Sequence, residues 1–269
     1  MKIALIQQHT DSDRETNILQ GLTSAREAAA HGAELVAFAE LSFERFFPQF
    51  HVTPDLQTNA ETVPGPTTDR FCALAKELGV VIIINLFEEE SGKTFDSSPV
   101  IDADGSLLGV TRMVHIMDGP GFHERDYYFP GDKGAPVYST AVGRVGVAIC
   151  YDRHFPEYMR ALAIRACDLV VIPQAGAVDE WPAGLFEAEL QVASMQNGYF
   201  GALVNRVGQE GELTFAGESF FTGPDGRVIS RAPSGEDHIL YAELDLSTIS
   251  DSPARRHFLR DRRPELYPL

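Results

Sequence analysis

Two residues with side chains suited to nucleophilic and acid–base chemistry end predicted strands. Cys150 closes the apolar run RVGVAIC before the polar turn YDRH, and Glu40 closes the apolar run ELVAFAE. Open α/β folds form their binding crevices at the carboxyl ends of strands. A thiol beside a carboxylate can be deprotonated and attack a carbonyl carbon. Cys150 is therefore a candidate nucleophile and Glu40 a candidate general base.

Each of these residues also has an ordinary structural explanation. Free cysteines are among the most buried residues, so the segment alone fits a core thiol at Cys150 equally well. Glu40 can be a solvated acid at a strand end. However, the aromatic stretch LSFERFFPQF follows it, and an apolar neighbourhood raises the pKa of a carboxyl toward the range of a general base.

A third candidate, Glu124, lies in the loop HIMDGPGFHERDYYFPGD, which spans 115–132. Long loops without regular structure in compact domains are often binding or catalytic elements. The loop and its surroundings also contain His115, His123 and His154. These histidines lack the close spacing of metal ligands, so we predict no metal site.

Alternating strands and helices must position these residues. Apolar runs predict strands, and amphipathic stretches bounded by capping residues, glycine or proline predict helices. The predicted strands are 2–7, 34–40, 80–85, 144–150, 168–173, 199–205 and 238–245, the helices are 13–32, 67–79, 156–167 and 181–198, and hairpins turn at 104–105 and 224–226. The pattern predicts one α/β domain over 1–269, with two mixed sheets packed face to face and covered by helices as α-β-β-α layers.

The composition excludes some classes of partner. The formal net charge is −17, from 39 acidic and 22 basic residues, which disfavours nucleic acids and anionic membranes as partners. The three cysteines cannot all pair, and no signal peptide or membrane-spanning run is recognisable, so we expect reduced thiols in a cytoplasmic protein.

Five strings in order resemble the nitrilase superfamily of carbon–nitrogen hydrolases. They are AFAEL, GFHERDYYFPGD, ICYDRHFPE, NRVGQE and RDRRPELY. The β-ureidopropionase-like and N-carbamoylputrescine-amidase-like branches are the most similar. The resemblance implies an α-β-β-α sandwich without a cofactor, and a catalytic set of Glu, Lys and Cys with a second supporting Glu.

Carried over by position, the resemblance makes Glu40 the general base, Cys150 the nucleophile and Glu124 the second glutamate. The family lysine lies in an Arg-Lys-x-His motif, which reads Arg112-Met113-Val114-His115 in this chain. Met113 has no charge and no hydrogen to donate. Loss of one oxyanion donor slows turnover by roughly 10²–10³. The sequence leaves open whether the methionine is natural or introduced.

The resulting expectation is a hydrolase of small linear amides or N-carbamoyl compounds that acts through a Cys150 thioester and is impaired by Met113. The backbone N–H of Tyr151 is the expected oxyanion donor, and Phe46 and His123 are candidate substrate-binding residues. Family members commonly form dimers or larger assemblies, so we expect a homo-oligomer. The alternative is an inactive nitrilase-fold protein that binds a small ligand or a partner. A papain-type hydrolase is poorly supported because the sequence around Cys150 lacks that signature.

Overall fold

The computed structural model describes residues 1–53 and 59–267. The strands of this part of the chain are β1 (Lys2–Gln7), β2 (Leu35–Phe38), β3 (Val81–Ile83), β4 (Leu86–Glu90), β5 (Lys93–Ile101), β6 (Leu107–Arg112), β7 (Val137–Thr140), β8 (Gly143–Val147), β9 (Leu169–Gln174), β10 (Phe200–Asn205), β11 (Val207–Glu210), β12 (Leu213–Ala216), β13 (Phe220–Thr222), β14 (Val228–Arg231) and β15 (His238–Glu243). The α-helices are α1 (Arg14–Ala30), α2 (Pro66–Leu78), α3 (Pro156–Ile164) and α4 (Leu185–Asn197). Within the same residues, no helix combines the length and apolar character needed to cross a membrane.

The strands form two large sheets and one small hairpin. The first sheet has the order β15-β1-β2-β3-β5-β4, with β6 paired to β5, and the second has the order β14-β13-β10-β9-β8-β7. Three parallel strands lie at the centre of each sheet, β1-β2-β3 in the first and β8-β9-β10 in the second. Antiparallel strands flank both centres, so both sheets are mixed, as predicted.

Alternating strand residues divide the core into three apolar layers, because successive side chains point to opposite faces of a sheet. Leu5 of the first sheet and Val147 of the second belong to one central cluster between the sheets. Val36 points the other way, into a cluster with α1 and α2, and Val170 points into a cluster with α3 and α4. The α-β-β-α sandwich predicted from the sequence is confirmed.

The first residues of two helices differ from those predicted, and one strand was not predicted. The helix predicted from residue 67 begins at Pro66 with Gly65 as its N-cap, because proline fits the first turn, where an N–H has no partner. The helix predicted from 181 begins only at Leu185. β4 was not predicted, because its sequence LFEEE is too acidic for an apolar pattern.

Candidate active site

The two sheets bring Glu40, Cys150 and Glu124 together. Glu40 follows β2 of the first sheet, Cys150 follows β8 of the second, and Glu124 comes from the loop after β6. One carboxylate oxygen from each glutamate and the Cys150 sulfur all lie within 4.8 Å of one another. Glu40 and Glu124 have no exposed surface, and Cys150 is 6% exposed. This arrangement places a thiol against two carboxyl groups in a dry environment.

The backbone at Cys150 is held in an unusual conformation. Its φ of +43° lies in the left-handed region, which a residue with a Cβ seldom adopts outside functional sites. Cys150 also begins a short 3₁₀ turn, Cys150–His154. Within this turn, the buried Asp152 carboxylate accepts the backbone N–H of His115 at 2.9 Å and lies 2.7 Å from the His115 ring Nδ1. Asp152 therefore ties the nucleophile turn to the segment that carries Met113.

A buried arginine fixes the backbone around Glu40. Arg206 donates from Nη1 to the Glu40 carbonyl at 2.8 Å and from Nη2 to the Glu44 carbonyl at 2.7 Å. Its charge is paired with the buried Glu210 at 2.7 Å. On the other side, the Leu41 N–H donates to Asn85 Oδ1 at 2.7 Å. The segment after β2 is thus held by side chains from distant parts of the chain.

Burial dominates the electrostatics of the three candidate residues. It raises the pKa of Glu40 well above the usual value for a carboxyl, and Asp96 and Glu124 raise it further. The pKa of the Cys150 thiol is raised by burial and then by Glu40 and Glu124, while Arg153 opposes them. An oxygen of the Glu40 carboxyl lies within 4.8 Å of the Cys150 sulfur. Burial therefore favours the neutral forms of both the Cys150 thiol and the Glu40 carboxyl in the resting site.

Asp96, a residue that the sequence analysis missed, joins this cluster from β5. It is fully buried, accepts from Asn85 Nδ2 at 2.6 Å and lies close enough to Glu40 to raise the pKa of that carboxyl. Burial raises the pKa of Asp96 to about 6. The sequence did contain a clue to Asp96. It lies within the strand sequence TFDSSPV, and an acidic side chain without a partner is rare in a buried strand.

Tyr128 is a further residue close to these carboxyl groups. Its hydroxyl is buried and has no hydrogen-bond partner among residues 1–53 and 59–267. Burial raises the pKa of Tyr128 well above its usual value, followed by the charges of Asp96, Glu124 and Glu40. The hydroxyl is therefore neutral and retains its proton.

Met113 lies where the resemblance expects a lysine. It is 1% exposed and belongs to the same apolar cluster as Cys150 and Tyr128. Arg112 points the opposite way and pairs with Glu88 at 2.6 Å, as strand alternation predicts.

The chain's lysines do not replace the missing one. Lys2 is half-buried, and the other three, Lys76, Lys93 and Lys133, are exposed. The cation whose charge favours the thiolate of Cys150 is instead Arg153.

The remaining sequence candidates lie around this cluster. Phe46 has no exposed surface and packs edge-on against Phe122 at 5.6 Å between ring centroids. The His123 ring stacks on His51 at 3.7 Å. Tyr151 follows Cys150 in the first part of the 3₁₀ turn. Substrate contact by Phe46 and His123, and oxyanion binding by the Tyr151 N–H, stay predictions.

The same three central side chains could also be considered as metal ligands. A thiolate and two carboxylates within 4.8 Å are a donor set that zinc accepts. In this structure, however, the sulfur accepts an N–H from Gln174 at 3.3 Å. A hydrogen bond of this kind suits a nucleophile, and the absence of a metal stays a prediction.

Comparison with known proteins identifies the family. The sequence profile of the carbon–nitrogen hydrolase family matches residues 2–254. The chain belongs to this family. It is a member of the nitrilase superfamily of amidohydrolases, as the five sequence strings indicated.

Individual relatives match along almost the whole chain. The N-carbamoylputrescine amidase of Arabidopsis thaliana is 35% identical over 279 residues, covering 98% of this chain and 93% of the relative. The crystal structure of a carbon–nitrogen hydrolase from Helicobacter pylori G27 superposes with a TM-score of 0.91 at 31% identity, covering 99% and 97% of the two chains. An amidase from Nesterenkonia sp. AN1 superposes with a TM-score of 0.83 at 26% identity, covering 99% and 95%, and is described with a covalent acetamide adduct at its active-site cysteine.

Proposed function

We propose that the protein hydrolyses the carbon–nitrogen bond of a small linear N-carbamoyl compound or amide through an acyl-enzyme on Cys150. The observation that carries the proposal is the cluster of the Cys150 sulfur with the Glu40 and Glu124 carboxyl groups within 4.8 Å. The similarity to an N-carbamoylputrescine amidase supports an N-carbamoyl substrate. The similarity to an amidase with a cysteine adduct supports the sulfur as the attacking atom.

The first half of the proposed reaction forms the acyl-enzyme. Glu40 takes the proton of the Cys150 thiol, and the sulfur attacks the carbonyl carbon. The Tyr151 N–H stabilises the negative charge on the carbonyl oxygen of the tetrahedral intermediate. The carbon–nitrogen bond then breaks, Glu40 returns the proton to the leaving nitrogen, and ammonia or an amine departs.

The second half releases the product. Glu40 accepts a proton from water, the resulting hydroxide attacks the thioester carbon, and the carbon–sulfur bond breaks. The sulfur regains a proton and the acid product leaves. Glu124, fixed by the N–H of Met117 at 3.1 Å, orients the substrate in both halves.

Ammonia release from a panel of N-carbamoylputrescine, N-carbamoyl-β-alanine and short linear amides tests the proposal. We expect release with at least one N-carbamoyl compound or amide, and none from the Cys150→Ala variant. Cys167→Ala, which removes another buried free thiol, is the matched control and retains turnover. Unchanged turnover in Cys150→Ala contradicts the proposed chemistry.

Met113 supports a second candidate, a nitrilase-fold protein that binds a small ligand without turnover. The variant Met113→Lys separates the two candidates because lysine restores a charged donor in the family position. We expect ammonia release to rise by about a hundredfold, the scale of one oxyanion donor. Binding of a panel compound by the wild type with no gain in Met113→Lys favours the second candidate.

A further inference from the structure

Two side chains that are hydrogen-bonded to each other, those of Gln174 and Arg153, lie beside Cys150, and Gln174 donates to its sulfur. Gln174, the last residue of β9, is 1% exposed and donates from Nε2 to Cys150 Sγ at 3.3 Å. Arg153 donates from Nη1 to Gln174 Oε1 at 2.8 Å. A guanidinium group can only donate hydrogen bonds, so the Gln174 oxygen must face Arg153. The amide N–H group is thereby directed at the sulfur.

Packing holds the arginine of this pair in place. Arg153 is 3% exposed, lies 3.2 Å from the Glu189 carboxylate and covers the Phe186 ring at 4.3 Å. Its Nη1 also approaches the Cys150 carbonyl at 3.4 Å. Its Nη2 has no hydrogen-bond partner among the residues that the structure describes. The positive charge is therefore fixed beside the nucleophile turn and only partly compensated.

We propose that Gln174, oriented by Arg153, donates to the thiolate of Cys150 and stabilises it. Gln174 contacts the reacting sulfur and is a catalytic residue, whereas Arg153 acts through it and is a positioning residue. A thiol sulfur is a weak acceptor, and a thiolate is a much stronger one. The hydrogen bond therefore strengthens as the proton moves from Sγ to Glu40. The inference rests on the proposed function in taking Cys150 as the reacting thiol.

The donor pair works against several acidic groups. Glu40 from the first sheet, Glu124 from the loop after β6 and Glu180 from the segment after β9 all oppose formation of the thiolate, and Arg153 favours it. Asp96 and Tyr128 lie close to the same acidic groups. Asp96 raises the pKa of Glu40, and the charges of Glu124 and Glu40 raise the pKa of Tyr128. With methionine at position 113, the Gln174–Arg153 pair supplies the donor and the charge directed at the sulfur.

Alkylation of Cys150 by iodoacetamide tests the inference without any substrate. The thiol proton passes to Glu40, the sulfur–carbon bond forms, and iodide leaves. The rate is followed from pH 6 to pH 10 by mass spectrometry of the peptide that carries Cys150, because Cys72 and Cys167 are also free thiols. For Gln174→Leu we expect alkylation at pH 7 to slow by about tenfold to a hundredfold, with its pH midpoint shifted upward, since a bond to a charged group is lost.

Gln174→Glu separates an electrostatic role from a structural one. Glutamate has the same shape and keeps the pairing with Arg153, so a packing role predicts less damage from glutamate than from leucine. Our inference predicts the reverse order, because the glutamate variant places a carboxylate oxygen against the sulfur. Arg153→Met should slow alkylation by about threefold to tenfold at pH 7. The variant loses the positive charge near the sulfur, but the Gln174 amide remains as a weaker donor.

Gln7→Leu and Arg255→Met are the matched controls, a buried glutamine and a partly buried arginine that donate to backbone carbonyls elsewhere. Both should retain the wild-type alkylation profile. Wild-type alkylation rates in Gln174→Leu, or a milder effect of glutamate than of leucine, overturn the inference. If the alkylation order holds and no panel compound is turned over, the inference stands and the proposed function fails.

Discussion

At the scale of single residues, the pair formed by Glu40 and Asp96 sets the charge of the site. Both carboxyl groups are fully buried, and Asp96 raises the pKa of Glu40, which favours a state in which the pair holds one proton. This proton limits the negative charge next to the thiol. Glu40 can act as a base only to the extent that Asp96 keeps the shared proton, so the two residues titrate as a unit.

The pKa of Asp96 leads to a stability prediction. Because this pKa is raised from 3.8 to about 6, the folded protein holds the proton more tightly than the unfolded chain. The favourable contribution is complete below about pH 4 and is lost as the pH rises through about 6, a change on the order of 3 kcal/mol. Asparagine does not titrate and retains both an acceptor for Asn85 and a donor for Glu40. Asp96→Asn should therefore be more stable than the wild type at pH 7.5, and this advantage should disappear near pH 4.

Urea unfolding of both proteins at the two pH values measures this difference. Asp261→Asn is the control, because that exposed carboxylate lies beside Arg260, which lowers its pKa. We expect no gain in stability from the control at pH 7.5. A stability difference for Asp96→Asn that is the same at both pH values would contradict a raised pKa for Asp96.

The residues that the sequence could predict were those at the ends of recognisable strands. Cys150 and Glu40 were found because an apolar run stops at each of them, and Glu124 because its loop is long. Asp96 and Gln174 were missed because their partners come from turns and loops in other parts of the chain. Such contacts depend on sheet order and side-chain direction, which local periodicity does not contain.

At the scale of elements, Arg206 holds the segment after β2 against the start of β11. Arg206→Met leaves the Glu210 carboxylate buried at 2% exposure without its partner. Removal of one member of a buried ion pair costs about 3–5 kcal/mol, so the free energy of unfolding should fall by that amount. Turnover should fall as well, since the Glu40 carbonyl loses its donor.

Urea unfolding and ammonia release measure the two effects of Arg206→Met. Arg231→Met is the control, because its pairings with Glu187 and Glu218 are open to solvent, and such pairs contribute about 0–1 kcal/mol. The double variant Arg206→Met/Glu210→Leu should recover part of the lost stability. Equal losses for Arg206→Met and Arg231→Met would argue against an anchoring role for Arg206.

Gly131 determines how the long loop returns to the strand end at Met113. Its N–H donates to the Met113 carbonyl at 2.8 Å, and an added Cβ would lie 2.4 Å from the Arg112 carbonyl oxygen. Gly131→Ala should therefore cost about 1–3 kcal/mol of stability and lower turnover by displacing the loop. Gly119→Ala is the control in the same loop, since its Cβ would meet only the flexible end of Met117 at 3.1 Å.

Thermal unfolding and ammonia release of both glycine variants provide the comparison. Similar losses in the two variants would show that the loop tolerates the close approach at Gly131.

The period-two and period-3.6 patterns located most elements of this fold, but they did not indicate such backbone contacts. A contact between a loop glycine and a carbonyl oxygen arises only when distant segments have packed.

At the scale of the whole molecule, we retain the prediction of a homo-oligomer. Leu185 and Val192 of α4 are 47% and 49% exposed, and Ile164 at the end of α3 is 53% exposed. Leu185 and Val192 line the same groove between α3 and α4, and exposed apolar patches are typical of interaction surfaces. Sedimentation equilibrium should give a multiple of the 29.6 kDa chain mass. A single species of 29.6 kDa over a wide concentration range would contradict the prediction.

Because Glu40 and Cys150 follow strands of different sheets, turnover depends on how the two sheets are aligned. No short stretch of chain links the proton acceptor to the sulfur, so packing between the sheets and hydrogen bonds such as that from Arg206 to the Glu40 carbonyl keep them together. A slip of one layer past the other would separate them while each sheet kept its hydrogen bonds. A small change in the alignment of the two sheets should therefore stop turnover. We expect heating to abolish turnover before circular dichroism records any loss of secondary structure.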